Sequence, residues 1–162
     1  MKPLGESDGY QHLWNIGSGR VEGSSLVSWL VNNSYYSLVT SANQGSEVIF
    51  ARLGANDPDF NLRSEPAMIM RQTGKDHVFA SVLETHGYFN EEFEQSVNAR
   101  GLVESVNIVG DNEIATIIQI NMTTGKKYRF AISNLSEDEQ QGQHSVEFDG
   151  QSFSWKGSFA QV

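Results

Sequence analysis

The sequence predicts an all-β protein, an antiparallel β-sandwich. Three observations predict it. Runs rich in Val, Ile, Tyr, Phe and Trp recur at short intervals, turn residues separate them, and no segment keeps helical spacing over a dozen residues. About eight to eleven short strands spaced in this way fit a sandwich better than a βαβ fold.

SLVSWLVNN (25–33) and YYSLVTSA (35–42) open the series, each dense in β-branched and aromatic residues, and Trp29 within the first reads as core. SEVIFARLG (46–54) places Val48 and Phe50 on one face and Ile49, Ala51 and Leu53 on the other. PAMIMRQTGKDHVFASVLE (66–84) reads as a hairpin whose two apolar runs flank QTGKDH, where Gly74 can take a positive φ. LVESVNIV, EIATIIQINM and KKYRFAISN follow, separated by GDN and TTGK. HSVEF and SFSW bracket DGQ, and Asp-Gly between alternating apolar positions is a strong hairpin signal. Several strands are apolar on both faces, as strands inside packed sheets are. FNEEFEQSV (89–97) is the best helical segment, one or two turns long, and SEDEQQGQ (136–143) reads as a solvated acidic loop.

A length of 162 residues fits a single domain over 1–162, with no linker or fixed-period repeat to divide it. Such a chain buries roughly 70% of its unfolded surface and needs no staples. It has no cysteine, so disulfides and thiolate metal sites drop out. The N-terminus carries no apolar run of signal-peptide type, and no stretch approaches the roughly 20 apolar residues of a membrane-spanning helix. A soluble chain with no membrane partner is expected. Twenty acidic against eleven basic residues give a net charge of −9. That field repels phosphates, so nucleic acid is not expected as a partner, and an anionic ligand requires a local cluster of cations.

GSGRVEG (17–23) has the look of a phosphate loop, but its spacing is G-x-G-x-x-x-G with no helix after it; a surface turn is expected. His12, His77, His86 and His144 stand at no metal-ligand spacing, so neither a metal nor another cofactor is expected. In LETHGYFN (83–90), Glu84, His86 and Tyr88 alternate and share one side of an extended strand. An acid, an imidazole and a phenol together can move protons; the plainer reading is a polar edge where the strand leaves the sheet, with Gly87 marking the end.

GANDPDFNLRSEP (54–66) is long for a connection between strands. Gly54 and Asn56 tolerate left-handed backbone, Pro58 fixes the chain after Asp57, and Phe60 and Leu62 can pin the loop to the sandwich. On one reading Arg63 and Glu65 pair with each other or with Asp57 and Asp59, and the loop is self-supporting. On the other, Arg63, with Arg52 or Arg71, forms a fork for a carboxylate ligand or a neighbouring domain.

GYQHLW (9–14), RLGANDPDFNLRSEPAMIMR (52–71) and HVFASVLETHGYFN (77–90) together resemble the C-terminal region of heparinase II/III-like polysaccharide lyases, most of all the oligoalginate lyases of polysaccharide lyase family seventeen. The likeness covers nearly the whole chain from about Leu4 and weakens after residue 100. It implies a parent enzyme with an N-terminal helical toroid and large antiparallel sheet domains, which cleaves uronate chains by β-elimination. A base removes the proton alpha to the carboxyl group, an acid protonates the leaving oxygen, and polar groups neutralise the carboxylate. The resemblance places those Asn, His and Tyr residues, and any metal, in the toroid and central sheet, so no catalytic residue carries over to this chain. It also implies a periplasmic or secreted parent.

Three functions follow. The first is a non-catalytic sandwich that supports the toroid and central β-sheet domains or edges their cleft, with an apolar or arginine-rich face towards them. The second is an independent carbohydrate-binding module for acidic oligosaccharides, with Trp14, Trp29 and Trp155 as sugar-stacking candidates. The third is a self-sufficient enzyme built on Glu84, His86 and Tyr88. Asn56, Asp57, Arg63, Glu65, Glu84, His86 and Tyr88 are the candidates for substrate or domain contact under the first two.

Overall fold

The β2–β3 hairpin dominates the chain: β2 (Leu13–Val31) and β3 (Ser34–Leu53) run 19 and 20 residues. Asn32 and Asn33, at φ 47° and 63°, turn the chain between them. Two successive left-handed residues are the type I′ geometry that matches strand twist. A computed structural model describes residues 2–56 and 64–162; Asp57 and Arg63 lie outside the described residues. The fold is all-β, and every strand pair with a described register is antiparallel.

The chain divides into two compact units, Met1–Glu22 with Asn43–His77 and Gly23–Ala42 with Val78–Val162. In the first, β1 (Lys2–Pro3) pairs with the start of β2, and β4 (Pro66–Arg71) pairs with the second half of β3, from Glu47↔Arg71 to Arg52↔Pro66. Ile49 and Ala51 are buried there.

In the second unit, β5 (Ser81–Asn90) pairs with the first half of β3, Leu38 opposite Leu83, and turns into β6 (Gln95–Val97). A four-stranded sheet has the order β12-β9-β8-β7, from Phe159–Gln161, Lys127–Ser133, Ala115–Met122 and Val103–Asp111. The β10–β11 hairpin (Gln143–Phe148 and Gln151–Lys156) closes through Asp149 and Gly150, both left-handed, as Asp-Gly predicts.

Apolar residues on both faces of β8 give this unit three layers. Ala115 and Ile117, with Ala131 of β9, pack with Val146, Phe153 and Trp155 of the hairpin. Ile118, Ile120 and Met122 pack with Val39, Ala80, Val82, Val103 and Val106. That is why EIATIIQINM shows no simple alternation.

Several expectations need correction. GSGRVEG is no surface turn but the middle of β2, and Ser34–Leu53 is one strand rather than two. Glycines at positive φ, Gly23 in β2 and Gly45 in β3, act as in-strand irregularities that a periodicity search reads as breaks. PAMIM and HVFASVLE do not form a hairpin with one another, because both pair with β3, at different stretches. FNEEFEQSV is a β5–β6 turn: Tyr88↔Val97 to Asn90↔Gln95 pair, and Asn90 Oδ1 accepts the Phe93 amide at 3.2 Å. One or two turns cannot offset helix nucleation when a cross-strand partner is present. Trp29 is 38% exposed, whereas Trp155 is core at 3%.

Gly87 does not end its strand. Tyr35 faces His86 and Ser34 faces Tyr88, so Gly87 is the extra residue of a bulge, at φ 45°. A Cβ there would stand 2.1 Å from the Asn98 carbonyl oxygen. Gly87→Ala is expected to cost about 3 kcal/mol in urea unfolding. Gly74→Ala, whose Cβ would meet only the Asp76 carbonyl at 3.8 Å, is expected to leave the midpoint within error.

Candidate functional site

Glu84 and His86 are brought together with the segment that leads into β7, and both are engaged. The Glu84 carboxylate accepts the Leu102 amide at 2.8 and 2.9 Å and the Val103 amide at 3.1 Å. Gly101 allows that approach, since a Cβ there would lie 2.5 Å from Glu84 Oε2. His86 bonds at both ring nitrogens, Nδ1 to the Asn98 carbonyl at 2.9 Å and Nε2 to Ser37 Oγ at 2.8 Å. A carbonyl only accepts, so Nδ1 carries hydrogen; in the neutral ring Nε2 accepts from Ser37 Oγ. Ser37 Oγ then accepts from Ser28 Oγ, 2.6 Å away. Tyr35 stacks on His86 with ring centroids 6.1 Å apart, and its hydroxyl bonds Ser96 Oγ at 2.6 Å.

Tyr88, beyond the Gly87 bulge, is 49% exposed and stands apart from this network. The carboxylate and imidazole of LETHGYFN thus tie β5 to residues 98–103, and Ser37 is buried within the tie. Ser28, Ser37, Tyr35 and Gly101 were not singled out in the sequence. No local pattern marks them, because Ser37 meets His86 across 49 positions, Tyr35 meets Ser96 across 61 and Glu84 meets Leu102 across 18.

The 54–66 loop is held at both described ends, within the first unit. Leu53 donates its amide to the Glu65 carbonyl at 3.0 Å, and Arg52 donates to the Ser64 carbonyl at 3.0 Å. The amides of Gly54 and Ala55 both reach the His12 carbonyl at 3.1 Å. Asn56 takes the left-handed backbone its residue type suits, φ 51°, and donates to the Gln11 carbonyl at 2.9 Å. GYQHLW, with its short 3-10 turn at Tyr10–His12, is therefore the seat on which the loop begins. Of the two cations paired with Arg63 in the fork reading, Arg52 is engaged as above. Arg71 makes a forked contact with Glu47 Oε2, Nε at 3.1 Å and Nη2 at 2.7 Å. That bond holds the Glu47 carboxyl below its ordinary range and raises Arg71. Among the described residues no group of three or more His, Cys, Asp or Glu side chains is placed to hold a metal ion.

Two curated alginate-degrading enzymes match this chain along almost its full length. An alginate lyase of Stenotrophomonas maltophilia (strain K279a) is 34% identical over 164 residues, 98% of this chain. An exo-oligoalginate lyase of Saccharophagus degradans (strain 2-40) is 35% identical over 162 residues, 97% of this chain. The chain spans only about a fifth of these relatives, 21% and 22% of their lengths. No family model matches the chain.

Glu84→Ala leaves two amides without their acceptor, an expected cost of about 2 kcal/mol. Faster hydrogen exchange at Leu102 and Val103 is the specific readout; unchanged protection there would show that the carboxylate is not their partner. Glu47, with its folded-state value lowered below 4.5, contributes stability that is present above that pH and lost as pH falls through the lowered value. Its carboxyl titration, followed by NMR, is expected to move back up in Arg71→Met.

Proposed function

We propose that this chain is a C-terminal, non-catalytic β-sandwich module of an alginate lyase of the heparinase II/III-like type. It supports the catalytic toroid and central sheet domains or shapes the rim of their cleft. One observation carries the reading: 97–98% of the chain aligns with two alginate-degrading enzymes while accounting for only 21–22% of either. A segment of that size, all-β and with Glu84 and His86 spent on its own backbone and serines, is suited to support rather than to proton transfer. β-Elimination needs a free base and a free acid on either side of a bound uronate, and those groups belong to the remaining four-fifths of the parent. The module acts on the reaction through positioning alone.

Exposed apolar surface in the second unit supports the same reading. Trp29 and Tyr36 stack with centroids 5.9 Å apart and planes 14° from parallel. Leu83, opposite Leu38 and two register pairs along from Tyr36, is 61% exposed. Exposed aromatic and aliphatic side chains grouped on one sheet mark a surface that another domain covers.

The test uses the exo-oligoalginate lyase of Saccharophagus degradans. Replacing its homologous segment with this chain is expected to retain production of unsaturated uronate, while deleting that segment abolishes it. The purified chain alone is expected to form none. A deletion variant that keeps full activity and thermal stability would overturn the proposal.

A further inference from the structure

A net charge of −9 means that an acidic ligand needs a local patch of opposite sign, and the second unit contains one. The register of β7, β8 and β9 lines up Ser105, Asn121 and Lys127 in one cross-strand row and Asn107, Gln119 and Arg129 in the next. These positions continue the face of the sheet that carries Ala115, Ile117 and Ala131. The β10–β11 hairpin covers that apolar part, and its Phe153 ring lies 5.7 Å from the Arg129 guanidinium carbon. Beyond Phe153 the face turns wholly polar.

A single hydrogen-bond chain orders these side chains. Arg129 Nε donates to Gln119 Oε1 at 2.7 Å, Gln119 Nε2 to Asn121 Oδ1 at 2.9 Å, and Asn121 Nδ2 to Ser105 Oγ at 2.7 Å. Asn107 Nδ2 also donates to Ser105 Oγ, at 3.2 Å. Arginine has no acceptor, so its position fixes which way both following amides point. The chain consumes one donor each of Arg129, Gln119, Asn121 and Asn107, with Ser105 only accepting, and leaves the Ser105 hydroxyl hydrogen, the second amide hydrogens, Asn107 Oδ1 and the terminal amino groups of Arg129. Among the described residues neither Arg129 nor Lys127 has a carboxylate within ion-pair distance, the one ion pair being Arg71–Glu47.

We propose that this face binds an acidic oligosaccharide, with Arg129 and Lys127 on a uronate carboxylate and Ser105, Asn107, Gln119 and Asn121 on ring hydroxyls. Hydroxyls both donate and accept, and planar amides answer in both senses; a guanidinium matches a carboxylate with two parallel bonds. Because the hydrogen-bond chain and Phe153 already hold every one of these side chains but Lys127, binding orders little that was free. The ligand class rests on the alginate-lyase reading; the face itself rests on register and hydrogen bonds alone.

The test is an amide NMR titration of the full chain with saturated alginate oligosaccharides, and in parallel with neutral cello-oligosaccharides of equal length. Shifts are expected at 105–107, 119–121 and 127–129 and in the Asn and Gln side-chain amides, with the acidic sugar only, and weakening as salt rises. Arg129→Gln is expected to weaken binding about tenfold or more, and Lys127→Ala, an exposed change that breaks no bond, about threefold or more. Shifts confined to other surfaces, an equal response to the neutral sugar, or no response overturns the proposal. The lyase graft separates the two readings. A graft that is active in a chain that binds no sugar sinks only this face; binding here with an inactive graft sinks only the parent-enzyme reading.

Discussion

The second unit depends on one sheet, β7–β8–β9–β12, being buried on both sides. Ile117 and Ile118 are neighbours in sequence and belong to different cores, one closed by the β10–β11 hairpin and the other by β3 and β5. A pleated strand sends successive side chains to opposite faces, so this sheet must be covered twice to bury both sets. The hairpin is one cover. It is too small to reach across all of β7, β8 and β9, and where it stops the same face changes from Ala and Ile to Asn, Gln, Ser and Arg. The polar face is thus a consequence of the layer count: a half-covered sheet needs apolar residues under the cover and satisfied polar ones beyond it.

The same economy governs the polar groups around β5. Glu84 and His86 sit where strand β5 passes the chain entering β7, and each satisfies backbone or serine groups there. Both oxygens of the Glu84 carboxylate already accept backbone amides, so neither stands open towards a bound substrate. LETHGYFN looks reactive in one dimension, with acid, imidazole and phenol at alternate positions, but the Gly87 bulge sets the Tyr88 phenol apart from Glu84 and His86.

Most of the strands were legible because their signals are local. Asp149-Gly150 specifies its own hairpin, and the runs that became β7, β8 and β9 match their predicted segments to within a few residues. What failed were inferences about partners. The adjacent runs 66–71 and 81–90 look like a hairpin because proximity in sequence is the only information available, yet each finds a better neighbour on the unusually long β3. The apolar surroundings of Trp29 point to core, but strand parity within a sheet, not composition, decides which face it occupies. The candidate residues of the 54–66 loop were half legible: left-handed Asn56 follows from its residue type, whereas its bond to Gln11 and the seat formed by His12 required the fold.

By itself the sequence determined the all-β class, the main turns and the charge that restricts which ligands are admissible, because periodicity, turn chemistry and charge are properties of short segments or of simple sums. Only the tertiary structure decided that Glu84 and His86 are structural ties, and that Ser105, Asn107, Gln119, Asn121, Lys127 and Arg129 form one ordered face. Those residues come from three strands spread over 25 positions, counting from 105 to 129, and no local pattern encodes register between strands. Register is set by which side chains two cores can bury at once, and that is a property of the packed molecule.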